Sequence, residues 1–242
     1  MDAQTLNNQL RNLYTEHWDV LTQHIPKRNK YSFPHIVDAN PSYALAPVKL
    51  FIVGQQTDDW GSEFGKWGDQ KIDAPVEKLM ALYHNFNRGE TYKRVTPFFE
   101  AAYQLQELLN PKWDRYGFMW SNLVRVDYKG NMKPNDGRVP LQVEEQICAV
   151  PLLNGEIKIA KPDVVVFFTG PDYEARLAAT FEGMNVEPVS GFDVRFLARL
   201  QHPDLPRNTF RTYHPGFLRR QKESQKQTGT ILNKIAHLAH TV

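Results

Sequence analysis

The sequence predicts a three-layer α/β/α fold with a central, mostly parallel four-stranded sheet. Short apolar runs such as 163–168 have the composition of strands that are buried on both faces. Longer segments between them carry apolar residues three and four positions apart, as amphipathic helices do. Strands that alternate with helices in this way favour a parallel sheet with helices on both of its faces.

The individual elements follow from these two patterns and from local start and stop signals. The predicted strands and extended segments cover residues 48–53, 117–124, 163–168, 194–200 and 209–213. The predicted helices cover residues 6–21, 76–86, 97–109, 143–160, 173–181 and 217–239. Thr96 is the expected cap of the third helix, and Pro97 is its first residue. Prolines and isolated aromatic residues without a sustained period predict a long ordered loop at 26–47.

The composition is typical of a globular protein with one large domain. The chain has 242 residues, of which 41% are hydrophobic and 23% are charged. No apolar run approaches the roughly 20 residues that span a bilayer, so we expect no membrane segment. The first residues lack the basic start and apolar stretch of a secretory signal. We therefore expect a monomer in the cytoplasm, or in the nucleus of a eukaryote.

The single cysteine and the small net charge narrow the possible chemistry. Cys148 excludes an intrachain disulfide and a thiolate-rich zinc or iron–sulfur site, and its apolar neighbours predict a buried position. The net charge of +2 does not by itself indicate a nucleic-acid partner. Basic residues concentrate at 207–226, which forms either a local basic surface or an ordinary solvated helix face. These residues are Arg207, Arg211, Arg219, Arg220, Lys222 and Lys226.

Three polar segments follow predicted strands. The first, 54–61, places amides, carboxylates, an aromatic ring and two glycines directly after an apolar run. The second carries Asn122 where its apolar run stops, and the third carries His214 before a Pro-Gly turn. Ligands of open parallel sheets bind outside the carboxyl ends of the strands. We therefore expect all three segments to meet at one site.

The polar residues of the first segment suit the binding of a water molecule. Gln55 and Gln56 carry amides that can hold a water or a substrate carbonyl. Asp58 and Asp59 carry carboxylates that can orient or deprotonate that water. The sequence does not decide which of these groups handles the water.

Aromatic and polar residues of all three segments suit the binding of a planar base. Trp60 and Phe64 offer faces for stacking, or they cover the core beneath a polar turn. Asn122 can read the edge of an extruded base, or it can satisfy a strand end. His214 can donate to an anion that develops on a leaving group, although a histidine before proline is often structural.

Several common site types are absent from the sequence. It contains no phosphate-binding Gly-x-x-x-x-Gly-Lys-Ser/Thr loop, and no Gly-x-Gly-x-x-Gly follows the first strand. It also contains no Gly-x-Ser-x-Gly nucleophile turn, and its histidines lack metal-ligand spacing. We expect no cofactor and no metal.

In the order of these motifs the chain resembles the uracil-DNA glycosylase superfamily, three-layer α/β enzymes that remove a damaged or modified base. Segment 54–61 resembles the water-activating first motif, and its layout is closest to the single-strand-selective monofunctional branch. Residues 120–124 are similar to the segment whose asparagine reads the base, and residues 162–171 to the central third strand and its turn. Residues 214–219 resemble the final His-Pro loop, which assists the leaving base and inserts into DNA.

The resemblance implies a single domain over 1–242, with the helix and loop of 1–47 packed on it. It also implies a cofactor-free DNA glycosylase that acts on single- or double-stranded DNA. The implied catalytic residues are Gln56, Asp58, Asp59 and His214. The implied base contacts are Gln55, Trp60, Phe64 and Asn122. The implied DNA contacts are Arg125, Phe217, Leu218, Arg219 and Arg220.

The motifs also depart from the family pattern. Gln56 stands where aspartate or asparagine is usual, and Thr57 replaces a familiar proline. Glutamine is not a base, so either Gln56 positions the water or Asp58 or Asp59 activates it. The sequence does not decide whether the excised base is uracil or another modified base. Two other functions also remain open: DNA binding without hydrolysis, and hydrolysis of free nucleosides or nucleotides.

Overall fold

The computed structural model describes residues 1–25, 30–62, 72–87, 96–128, 138–220 and 225–241. The helices of this part of the chain are α1 Ala3–Gln23, α2 Pro41–Ala44, α3 Pro75–Asn87, α4 Pro97–Leu109, α5 Leu141–Ala149, α6 Leu152–Ala160, α7 Glu174–Thr180, α8 Pro215–Arg220 and α9 Gln225–His240. Its strands are β1 Leu50–Gln56, β2 Met119–Val124, β3 Val164–Phe167, β4 Asn185–Pro188, β5 Leu197–Gln201 and β6 Asn208–Thr212.

The strands form one mixed sheet in the order β2-β1-β3-β6-β5-β4. The neighbouring pairs from β2 to β6 are parallel, and β5 and β4 continue the sheet in antiparallel pairing. After β1 the chain adds β2 on one side of that strand and β3 on the other. The carboxyl end of β1 is therefore the switch point at which open α/β sheets bind ligands.

The predicted mixed α/β class is confirmed, but the predicted strand count of four is wrong for the described residues, which contain six strands. None of the predicted extended segments covers β4, which is exposed along its whole length and contains Asn185, Glu187 and Pro188. It has no apolar run, so a search for buried strands does not find it. Its partner β5 covers part of the extended segment predicted at 194–200.

Two predicted boundaries also differ for local reasons. The helix predicted at 143–160 is divided into α5 and α6, because Pro151 lacks a backbone N–H and disfavours helical geometry at Val150. Val150 is extended, with ψ 125°. Nearer the carboxyl terminus, α8 begins at Pro215, two residues before the predicted start of the last helix. The cap predicted at Thr96 is confirmed, since its side chain accepts from the Phe99 backbone N–H.

Helices cover the central strands on both faces. Every residue of β2 and β3 is buried, as are the first five residues of β1. Because successive side chains of a strand point to opposite faces, uninterrupted burial requires cover on each side. The helices α4, α8 and α9 pack together, and α1 packs against α3 and α6. No helix in the described part of the chain is long and apolar enough to cross a membrane.

A buried polar network ties α1 and the loop after it to the sheet. Arg125 donates to both carboxylate oxygens of Glu156, at 2.7 and 2.9 Å, and to the His35 carbonyl. Tyr14 donates to the same carboxylate and accepts from the Val37 backbone N–H. The predicted DNA contact of Arg125 is therefore wrong, because its guanidinium is buried and held by a carboxylate inside the fold.

Candidate functional site

A cavity of about 960 Å³ lies at the carboxyl ends of β1 and β2. His214, which follows β6, also lines it, so the structure brings together residues from all three polar segments. The predicted site residues on its wall are Gln55, Gln56, Asp58, Asp59, Trp60, Asn122 and His214. Phe64, which was predicted to stack on a base, lies outside the described residues.

Gly54 leaves room for the side chain of Asn122. The two residues are neighbours across β1 and β2. A Cβ atom added at Gly54 would lie 2.4 Å from Asn122 Oδ1 and 3.2 Å from the Phe98 ring. Real Cβ atoms do not approach other atoms so closely, so a larger residue would push the amide aside. The glycine therefore allows the amide of Asn122 to lie against the strand end beside the cavity.

The two glutamines belong to β1 rather than to the loop after it. Side chains alternate along a strand, so Gln56 shares a face with Gly54, and Gln55 points to the other face. Gln55 donates from Nε2 to the Thr169 carbonyl at 2.8 Å, which ties the end of β1 to the turn after β3. Both amides are only partly buried at the cavity wall, where they remain accessible to a small ligand.

Asp127 holds the loop that follows β1. Its Oδ2 accepts from the Asp59 backbone N–H at 2.6 Å and from the Thr57 hydroxyl at 3.2 Å. Asp59 has φ 60°, a left-handed conformation that is uncommon for residues other than glycine. A hydrogen bond to a buried carboxylate offsets part of that cost. The loop is thereby fixed with the Asp58 and Asp59 side chains exposed at the cavity rim.

Trp60 and four other aromatic side chains form the apolar wall of the cavity. Trp60 is 7% exposed and lies edge-on to Trp120, with ring centroids 5.7 Å apart. The Phe86 ring contacts both tryptophans, with ring-centroid distances of 5.3 Å to Trp60 and 5.6 Å to Trp120. Phe98 and Phe99 complete the wall from the first turn of α4. Trp60 therefore belongs both to the core and to the cavity surface.

Most of this wall was not predicted from the sequence, although one signal for it was present. Trp120 and Asn122 are two residues apart in β2, so they share a face of the sheet. A functional role for Asn122 therefore implies a place for Trp120 beside it. Phe98 and Phe99 gave no such signal, because apolar residues in the first turn of a helix are ordinary core residues.

His214 is a neutral histidine at the polar end of the cavity. Its Nδ1 accepts from the Gly216 backbone N–H at 3.1 Å, so the proton of the neutral ring is carried on Nε2. Its ring stacks on Phe98 with centroids 5.9 Å apart. Burial, and secondly the charge of Arg220, lower the pKa of His214 from 6.5 to about 4. At neutral pH this residue is therefore a hydrogen-bond donor without charge.

The segment predicted to insert into DNA is only partly exposed. Phe217 stacks on Tyr213 with ring centroids 4.4 Å apart and is partly buried. Leu218 is 1% exposed, so its predicted role as a wedge is wrong for this conformation. Arg219 forms an ion pair with Glu100, and Arg220 is exposed. Phe217, Arg219 and Arg220 remain candidates for contact with DNA.

The basic surface predicted at 207–226 is smaller than the sequence indicates. Arg211 is 1% exposed and pairs with Glu174, and its guanidinium also donates to the Arg195 carbonyl at 2.8 Å. Lys222 and the side chain of Lys226 lie outside the described residues. Arg207 and Arg220 remain as basic groups of this segment that are not held in a described ion pair.

The remaining titratable residues offer little for a metal or a thiol reaction. Among the described residues no group of three or more His, Cys, Asp or Glu side chains is placed to hold a metal ion. Cys148 is buried, as its neighbours predict, and its thiol contacts the Leu123 carbonyl at 3.5 Å. Burial raises the pKa of Cys148 to about 12, so its thiol does not ionise near neutral pH.

These features define an α/β protein with a cavity at the carboxyl ends of its parallel strands, between an aromatic wall and a set of amides. The family model of the Uracil DNA glycosylase superfamily matches residues 41–236, which is most of the chain. The chain belongs to this superfamily. A search of curated proteins found no match to the sequence.

Proposed function

We propose that the protein is a monofunctional DNA glycosylase that hydrolyses the N-glycosidic bond of a flipped, modified base. One observation carries the proposal: Gln56, Asn122 and His214 line a single cavity at the switch point of the sheet. Superfamily membership supports DNA as the substrate and base removal as the reaction. A base inside a duplex is inaccessible, so the nucleotide must leave the stack before it can reach such a cavity.

Asn122 reads the base edge in this proposal. Its amide offers both a donor and an acceptor, which matches the mixed edge of a nucleobase. Gly54 leaves the space that the amide occupies, since any side chain there would collide with Asn122 Oδ1. The rings of Phe98 and Trp120 lie beside the amide and supply apolar faces for the base.

Water is the nucleophile in this reaction. Gln56 holds it at the cavity wall, and Asp58 or Asp59 at the rim takes up its proton. The water oxygen bonds to the sugar carbon as the bond from that carbon to the base nitrogen breaks. The electron pair of the broken bond leaves with the base, which then takes up the proton released by the water. The products are the free base and an abasic site.

His214 stabilises the departing base in the proposed mechanism. The base carries negative charge as the bond breaks, and the neutral ring donates its Nε2 proton in a hydrogen bond to that charge. A neutral donor on this residue needs no low pH, because its pKa lies near 4. Phe217, Arg219 and Arg220 are placed beside His214 in sequence, and we assign them to contacts with the DNA strand.

Base release from defined oligonucleotides tests this proposal. Strands that carry uracil, oxidised bases, alkylated bases or modified cytosines are incubated with protein and then treated with alkali, which cleaves abasic sites. The proposal predicts cleavage after alkali for at least one base and no cleavage before it. Asn122→Ala should reduce release by about a hundredfold or more, while Trp113→Phe, a surface change away from the cavity, should not. Absence of release from every strand at high protein concentration would refute it.

One feature favours a second candidate, DNA binding without hydrolysis. Gln56 occupies the end of β1, and an amide has no basic group for water activation. The carboxylates nearest to it in sequence, Asp58 and Asp59, are exposed at the rim. Binding of a modified strand without base release, together with equal affinity of wild type and His214→Ala, would support this candidate.

A further inference from the structure

Three aromatic rings lie together beside the cavity, two of them on either side of His214 in the sequence. Phe217 stacks on Tyr213, with ring centroids 4.4 Å apart and an angle of 24° between the ring planes. Phe196, which precedes β5, meets Tyr213 edge-on at 5.3 Å. All three are partly exposed and lie outside the cavity wall. We call Phe196, Tyr213 and Phe217 the rim stack.

The backbone keeps the rim stack within one helical turn of the cavity. Phe217 is three residues after His214, and its backbone N–H donates to the His214 carbonyl at 2.8 Å. Successive turns of an α-helix are about 5.4 Å apart. Successive nucleotides of a stacked strand are separated by about 3.4 Å along its axis, which is a similar distance. When one nucleotide of a strand enters the cavity at His214, its neighbour is therefore within reach of the rim stack.

Tyr213, the central ring of the rim stack, is held by its neighbours in the fold. Gly170 has φ 77°, and a Cβ atom added there would lie 3.1 Å from Tyr213 Cδ1. The Gly170 backbone N–H donates to the Thr212 carbonyl at 2.9 Å, which ties the turn after β3 to the residue before the tyrosine. The guanidinium of Arg195 interacts with the Tyr213 hydroxyl. The ring that supports Phe217 is thus fixed by the protein itself.

The geometry of Phe217 suits stacking rather than insertion into a duplex. An apolar wedge has to project between two base steps. Leu218 is 1% exposed, and Phe217 lies nearly parallel to Tyr213, which covers one of its faces. Because Phe217 is still partly exposed, aromatic surface of this ring borders the solvent. Such a surface can stack with any nucleobase, since every base has a π-face.

Basic side chains border the rim stack. The exposed arginines beside it are Arg195, Arg219 and Arg220. Arg195 lies 3.9 Å from a carboxylate oxygen of Asp172, and Arg219 pairs with Glu100. Ion pairs between exposed side chains are weak, so a phosphate can replace either carboxylate. Aromatic platforms next to basic side chains are the two parts from which sites for single-stranded nucleic acid are built.

We propose that the rim stack binds the nucleobase next to the flipped nucleotide, and that this base stacks on Phe217 with Tyr213 behind it. The inference rests on the proposed base excision, because it places the flipped nucleotide at His214. The neighbouring base loses a stacking partner when that nucleotide leaves the strand, and Phe217 replaces the partner. The ligand is therefore a strand with an unpaired neighbouring base rather than a free nucleoside.

Binding of short single strands, measured by fluorescence anisotropy, tests the inference without any base release. Each strand has a central tetrahydrofuran residue, which lacks a base. In the second strand the 5′ neighbour also lacks its base, and in the third strand the 3′ neighbour does. We expect the first strand to bind about five- to a hundredfold more tightly than one of the other two, which is the value of one stacked base. Phe217→Leu should abolish this difference, and Phe217→Tyr, which keeps the ring, should retain it.

A matched control separates stacking from a general loss of aromatic surface. Trp113→Leu also removes an exposed ring, one that lies against Gly117 at the amino end of β2, at the sheet edge opposite the cavity. This variant should bind all three strands as the wild type does. Equal binding of the three strands by the wild type would overturn the inference, and that comparison needs no variant to fold.

The leucine variant distinguishes stacking from two other roles of Phe217. Leucine serves as an apolar wedge, so wild-type affinity of Phe217→Leu for the first strand would indicate a wedge and overturn the inference. Equal weakening of all three strands would overturn it as well, because Phe217 would then act through the fold. Base release is judged separately. Equal binding with continued release leaves base excision intact, whereas a neighbour effect without release from any strand supports the rim stack and contradicts base excision.

Discussion

The low pKa of His214 makes the stability of the protein depend on pH in a calculable way. The folded protein protonates this ring at about pH 4, mainly because burial disfavours its charged form, whereas the unfolded chain protonates it near 6.5. As the pH falls below 6.5 the unfolded state gains a proton that the folded state does not bind. Folding free energy that is fully present above pH 6.5 is therefore lost progressively as the pH falls towards 4.

The size of this loss follows from the same two values. A difference of one pKa unit corresponds to about 1.4 kcal/mol, so the gap between 6.5 and about 4 corresponds to about 3 kcal/mol. His214→Gln replaces the titrating imidazole with an amide side chain that does not titrate. On acidification the free energy of unfolding should therefore fall less for the variant than for wild type. The difference should reach about 3 kcal/mol near pH 4.

Urea unfolding at a series of pH values from about 7.5 to about 3.5 measures the effect. His35 also has a lowered pKa, but it is present in both proteins, so its contribution cancels in the difference. His17→Gln, a change on α1 away from the cavity, is the matched control and should follow wild type. Parallel stability profiles for wild type and His214→Gln would refute the assignment of a partly buried, neutral histidine.

Other parts of the site yield equally direct outcomes. Gly54→Ala should reduce base release by about a hundredfold while circular dichroism stays native, because its Cβ would displace the Asn122 amide; unchanged single-turnover rates would contradict the placement of that amide. Asp127→Asn should lower kcat about tenfold with little change in KM, since it weakens the hold on the loop after β1. Glu156→Gln, which leaves Arg125 buried without its counter-charge, should lower the free energy of unfolding by about 3 kcal/mol and spare kcat; an equal effect of both carboxylate changes on kcat would count against a specific role for Asp127.

The parts of the fold that the sequence predicted are those with strong local signals. The β1 run and the capped start of α4 at Thr96 depend on short-range patterns, and both are found in the structure. The rule that ligands bind at strand ends then placed three separate segments near one another without any knowledge of their contacts. Asn122 and His214 line one cavity for that reason.

The features that the sequence did not predict depend on long-range contacts. Arg125 directly follows β2, a position from which it was predicted to contact DNA. Its partner Glu156 is on the later helix α6, and only the folded chain brings the two together. Leu218 is similar, since its burial depends on the packing of α8 against α4 and α9, which are separate helices. The exposed strand β4 gave no apolar pattern at all.

The most direct test of the proposed function is a mass measurement on a strand that carries one modified base. After incubation with excess protein and without alkali, the proposal predicts an intact strand that has lost the base and gained one water, together with the free base in equal amount. Asn122→Ala should leave most of the strand at its original mass. A wild-type reaction that leaves every tested strand at its original mass, or that cuts the strand before alkali, would contradict a monofunctional glycosylase.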